Sequence, residues 1–190
     1  MSEFELFFAV GHEHVLDIGA YDHILFLGAL ALAYDLGQWK RLISLATLFT
    51  IGHTASIVAT FYCHVQAPAA IVELLIPITI ITAAAHNLWN SLHNKAEGSL
   101  ALLLAVTLVF GIIHGFGFGR YFIQIAQGTG AQAFMAFALG IEWAQLVMVL
   151  GVLLFSFIAQ RVIGLARRDW IILMSGVIIG LTLPMILERI

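Results

Sequence analysis

Residues 19–33 read GAYDHILFLGALALA, and this stretch decides the fold class. An acid and an imidazole, Asp22 and His23, stand at the mouth of an almost purely apolar run. Water would hold such a pair in a loop; here it opens a segment suited to lipid. Ionisable groups inside a bilayer are costly, which makes them functional candidates. Carboxylate and neutral imidazole are also oxygen and nitrogen ligands for divalent metals. The plainer reading makes Asp22 a helix N-cap and His23 an interfacial polar residue. The pair alone does not choose between the two; the rest of the chain does.

The chain has 190 residues, 62% hydrophobic and 10% charged, with a mean hydropathy of +1.02. A soluble domain carries roughly 25% charged residues, so this is an integral membrane protein. A formal charge of −3 gives no basis for a nucleic-acid partner. The single cysteine, Cys63, excludes an internal disulfide and any zinc-finger pattern. The start, MSEFELFF, has two acids and no basic n-region, so no cleavable leader is expected.

Six apolar runs lie near 20–36, 40–63, 68–92, 98–119, 131–159 and 170–187. Each reaches or approaches the ~20 residues of a spanning helix. Ahead of them, residues 3–15 set Phe4, Leu6, Phe7, Phe8 and Val10 against Glu3, Glu5, His12 and His14. That segment is too short to span and is expected to lie at the interface. The fold expected is all-α: one polytopic domain over 1–190, with an interfacial amphipathic helix and lead-in loop (1–17) before a six-helix bundle (18–190). Lys40, Arg41, Lys95, Arg161, Arg167 and Arg168 fall in alternate loops, and only Arg120 and Arg189 fall on the other side. The positive-inside rule then puts both termini on the non-cytoplasmic side.

Polar residues within the runs form helical stripes. They are Thr47, Thr50, His53 and Thr54; Thr79, Thr82, His86, Asn90 and His93; Thr107, Gly111 and His114; and Ala138, Glu142 and Gln145. Lipid cannot satisfy such groups, so these faces are expected to point inward. Close helix packing is expected at the glycines of GFGFG (115–119) and at Gly176 with Gly180. Pro77 removes the N–H that would bond the Glu73 carbonyl, loosening the helix beside an acid. Counted at ~1.5 Å per residue, Asp22, His23, His53, Glu73, His114 and Glu142 converge in the outer half of the bundle. His86 and Asn87 lie deeper and form a candidate second station. His12, His14, His64 and His93 read as interfacial, with metal capture open to His12 and His14.

The blocks DHILFL (22–27), FTIGHT (49–54), VELLIPITI (72–80), FGIIHGFGF (110–118) and FALGIEWAQL (137–146) resemble the HupE/UreJ family of hydrogenase and urease accessory membrane proteins. The resemblance runs through the first five apolar runs in order. Carried over residue by residue, it implies His14, Asp22, His23, His53, Glu73, His114, Glu142 and Gln145 as site residues. His14 lies further from Asp22 than the family's compact block places it, and Ala138 stands where many members have asparagine. The resemblance implies a bacterial cytoplasmic-membrane permease for a divalent transition metal, usually nickel, acting without an ATPase. No phosphate-binding loop occurs in the chain.

Two other readings stand beside a permease. His53 and His114 can be read as haem ligands of a membrane redox protein or enzyme, although no nucleophile-and-base set is visible. A metalloenzyme assembly factor without transport is the other, although the loops offer little partner surface. The metal-ligating candidates remain Asp22, His23, His53, Glu73, His114, Glu142, His86 and His14. Mixed imidazole and carboxylate suits Ni(II), Co(II) or Zn(II) rather than Cu(I) or Mg(II), and the resemblance tips the choice to Ni(II). The expected partners are the metal ion and the bilayer, with self-association left open.

Overall fold

A computed structural model describes residues 1–93 and 100–189. Helices make up the fold, and no strand occurs among the described residues. They are α1 (Glu3–Leu16), α2 (Asp22–Leu32), α3 (Trp39–Cys63), α4 (Ala69–His93), α5 (Leu100–Ile125), α6 (Ala131–Phe157) and α7 (Arg167–Leu187). Helices α3 to α7 are long and apolar enough to cross a membrane. Their bounds follow five of the six apolar runs. Lys95 lies outside the described residues.

The first run differs. Helix α2 has 11 residues, about 16 Å at 1.5 Å per residue, about half the ~30 Å hydrocarbon thickness. Its start is set by the Asp17–Tyr21 break, where Asp17 is extended and its carboxylate accepts the Gly19 N–H. Its end is set by Asp35, which caps a 3-10 turn (Leu36–Gln38) leading into α3. The count of six full-length crossings is therefore replaced by five plus one short apolar helix.

Helix α1 begins on a capping box: Ser2 Oγ accepts the Glu5 N–H, and Glu5 accepts the Ser2 N–H. It packs inward: Phe7 and Val15 are fully buried, and Phe7 meets Phe122 at the end of α5. Its contact with α6 is backbone on backbone. A Cβ on Gly11 would strike the Phe137 carbonyl, and one on Gly140 would strike the Phe8 carbonyl. The same reciprocal crossing joins α3 to α5. A Cβ on Gly52 would lie 2.5 Å from the Leu108 carbonyl oxygen, and one on Gly111 would strike that of Phe49. Further along, Gly115 lies against Ser56 and His53, and Gly119 against Thr60, so α3 and α5 run parallel. Glycine permits this approach because it has no side chain to exclude the facing backbone.

Within the chain, the expected close packing at Gly176 and Gly180 is not found: among the described residues nothing lies within 4 Å of a Cβ built at either. The two positions give a matched test. Gly111→Ala drives a methyl into the backbone of α3 and is expected to cost about 1–3 kcal/mol, the range for overpacking. Gly176→Ala meets open space and is expected to leave stability unchanged. Thermal inactivation of the two purified variants in detergent measures the difference.

Besides a smaller cluster of Leu32, Ala159, Trp170 and Ile171, the bundle closes around two large apolar clusters. One joins α1, α2, α3, α5 and α6 through residues such as Phe7, Leu27, Leu45, Phe122 and Phe137. The other joins α2, α3, α4 and α7 through Phe26, Phe49, Ile80 and Ile178. The α2–α3 connection and the α6–α7 connection sit at the same end, where Arg167 bonds the Ala33 carbonyl and pairs with Asp35. At the other end Arg120 donates to the Ala67 carbonyl. Pro77 lies inside an unbroken α4.

Candidate metal centre

Four helices deliver four imidazoles to one place. His14 follows Gly11 by one turn on α1, so the crossing with α6 carries it inward. His23 stands on the first turn of α2. His53 follows Gly52 on α3, and its own N–H lies against Gly111. His114, three residues after Gly111 on α5, lies beside His23. The ring centroids of His14 and His23 are 4.6 Å apart, those of His23 and His114 5.2 Å, and those of His14 and His53 5.5 Å. One ligand nitrogen from each of His14, His23 and His53 lies within 4.8 Å of the other two.

Three of these rings are buried, with His53 at 0% exposure and His23 and His114 at 2%, and His14 is half-buried. Yet Nε2 of His14, His23 and His114, and both ring nitrogens of His53, have no hydrogen-bond partner among the described residues. A buried polar atom left unmet costs about 1–3 kcal/mol, so several in one spot require an explanation. The neighbours define which nitrogens carry lone pairs. The Phe110 carbonyl can only accept, so His114 Nδ1 donates to it at 2.9 Å and Nε2 is left unprotonated. Asp22 Oδ1 takes both the His23 backbone N–H, at 2.8 Å, and its Nδ1–H, at 3.0 Å. His23 Nε2 is thereby also left as a donor of electrons to a cation. A carboxylate behind a ligating imidazole fixes its tautomer and ring orientation. Asp22→Asn is therefore expected to weaken metal binding about tenfold, within the 10–100-fold range for such supporting groups; a Co(II) titration followed by absorption reads this.

Aromatic rings wall the cluster. Phe118 packs on His14 at 3.8 Å between centroids, Phe137 lies 6.1 Å from His53, and Phe49 and Phe26 lie 5.2 and 5.6 Å from His114. Half-buried His14 forms part of the lining of an open cavity of about 850 Å³, together with His12, Glu13, Asp17 and Tyr121.

The remaining candidates are placed differently. Half-buried Glu142 accepts hydroxyl bonds from Thr47, at 2.6 Å, and Thr50, at 2.7 Å. Thr50 is three residues from His53, so Glu142 is held about one helical turn along α3 from the cluster. Gln145, one turn further on α6, is fully buried with neither amide atom paired. Glu73 is exposed on α4. His86 is exposed, with the Asn90 amide 3.2 Å from its Nε2. Of the inward-facing stripes, Thr107 and His114 are buried, whereas Thr82, His86 and His93 are exposed. The structure thus unites His14, His23, His53, His114 and Asp22, sets Glu142 beside them, and leaves Glu73 and His86 apart. Sequence reasoning missed the four-phenylalanine wall and the threonine clamp on Glu142. It had Thr47 and Thr50 on the face of His53, which was the available signal for that clamp.

The HupE/UreJ protein family matches residues 1–188, and the chain belongs to it. No curated protein and no solved structure matches the chain.

Proposed function

We propose that the protein is a carrier for a transition-metal ion, Ni(II) in preference, across the bacterial cytoplasmic membrane. The observation that carries this reading is the set of unpartnered, buried imidazole nitrogens. Neutral imidazole suits nickel, cobalt and zinc, whereas Cu(I) favours sulfur and Mg(II) favours oxygen. Family membership adds weight to nickel.

With both termini outside, metal enters through the cavity lined by Glu13, Asp17 and His12, sheds water, and is held by the histidines. Glu142 and Gln145 mark the way onward. Helices α1 and α2 form two halves of one discontinuous crossing, broken at 17–21 beside His14 and His23. Secondary transporters commonly place their substrate site at such a break. Metal and protons compete for the same lone pairs.

The test is uptake into proteoliposomes from a mixture of metals at several outside pH values. Ni(II) uptake is expected, inhibited by Co(II) and Zn(II). Because protons compete for the imidazole lone pairs, uptake is expected to fall as the outside pH drops through the ~6.5 of a free imidazole. Preference for Cu(I) or Mg(II) over all three would overturn the ligand argument.

A further inference from the structure

A second cavity, of about 200 Å³, lies between α2, α4 and α5 on the far side of two rings from the histidines. Those rings, Phe26 and Phe110, belong to both places. Phe26 lies 5.6 Å from the His114 ring and meets Phe110 edge-on at 5.4 Å. The Phe110 carbonyl is the group that holds His114 Nδ1. His86, Asn90 and Thr107 also line the cavity. The His86 Nε2 and the Asn90 amide are 3.2 Å apart, so a turn of the amide would present a nitrogen and an oxygen donor together. Asn87 is already engaged: its Nδ2 donates to the Ala29 carbonyl at 2.6 Å and ties α4 to α2.

We infer that this cavity is a second metal station, with His86 as its nitrogen ligand and the Phe26–Phe110 pair as the partition between it and the histidine cluster, reached by the ion after it has passed Glu142. The inference rests on the carrier reading. Its donors are neutral and few, with no carboxylate among the lining residues. Such a set binds borderline metals more weakly than several imidazoles beside an acid. A weaker station after a stronger one lets the ion leave. The volume also admits an ion with some of its waters, each about 30 Å³.

The test pairs two measurements on the whole protein: equilibrium dialysis with radioactive nickel in detergent, and nickel uptake into proteoliposomes. His86 is exposed, so its replacement threatens the fold little. His86→Ala is expected to keep the tight binding of the wild type and to lower uptake about tenfold, as loss of a metal-supporting group does. His86→Cys, which retains a metal ligand, is expected to recover part of that loss. Unchanged uptake in His86→Ala, or equal loss in both variants, overturns the station and leaves the carrier standing. Loss of tight binding in His86→Ala also overturns it, by making His86 part of the first site. A wild-type protein that binds no nickel overturns both readings.

Discussion

His53→Ala is expected to abolish nickel uptake while leaving the protein folded. His53 is the fully buried member of the cluster, and both its ring nitrogens lack partners. Its ring sits 5.5 Å from that of His14 and 5.7 Å from that of His23. Removing a ligand is expected to cost at least the upper part of the 10–100-fold range found for supporting groups alone. The folding argument compares two opposing effects. Deleting a buried ring costs about 2–5 kcal/mol through lost contacts and a cavity. Deleting unmet polar nitrogens relieves about 1–3 kcal/mol each. The net is small, so elution and melting behaviour in detergent should match the wild type. His93→Ala serves as the control. His93 is exposed, stacked on Trp89 and bonded to its carbonyl, away from the cluster. Equal uptake by both variants would remove His53 from the site.

The bundle was legible in the sequence because long apolar runs need helices in lipid and their ends are marked by charge. Helices α3 to α7 follow from that alone. The short first crossing was not legible, because residues 20–36 are apolar enough to hide a helix that stops at Leu32. What shortens it is local: the extended backbone at Asp17 and the capping turn at Asp35. The inward packing of α1 was hidden for a related reason. An amphipathic pattern reports that a face is buried without saying against what, and here a glycine on α6 supplies the partner surface.

The candidate site was partly legible. Histidines at matching depth in α3 and α5 could be counted to one level, and the DH pair announced itself at the mouth of an apolar run. Depth counting failed for Glu73, which reaches a comparable level but points outward. Level along an axis says nothing about rotation around it. His14 shows the converse. Its spacing from Asp22 departs from the family block, yet the break at 17–21 folds the extra residues away and brings its ring to 4.6 Å from that of His23.

Glu142→Gln is expected to stop uptake without removing nickel from the histidines. Glu142 is held by Thr47 and Thr50, not by an imidazole. Glutamine keeps the volume and one carbonyl acceptor, while its amide nitrogen donates where a carboxylate oxygen accepted. One threonine hydroxyl then reverses its role, which a hydroxyl can do, so α3 and α6 stay joined. What is lost is the negative charge. In a low-dielectric interior an ion cannot leave the histidines through apolar surroundings, short of donors and water, without losing much of its stabilisation. The charge of a carboxylate one turn from the cluster lowers that step, and an amide lacks that charge. Nickel dialysis should therefore give near wild-type binding for Glu142→Gln, while uptake falls to background. Glu142→Asp keeps the charge but draws it back from the threonines, and intermediate uptake is expected. Full uptake by Glu142→Gln would show that the charge is dispensable. Loss of binding together with uptake would place Glu142 inside the first site and shorten the route by one step.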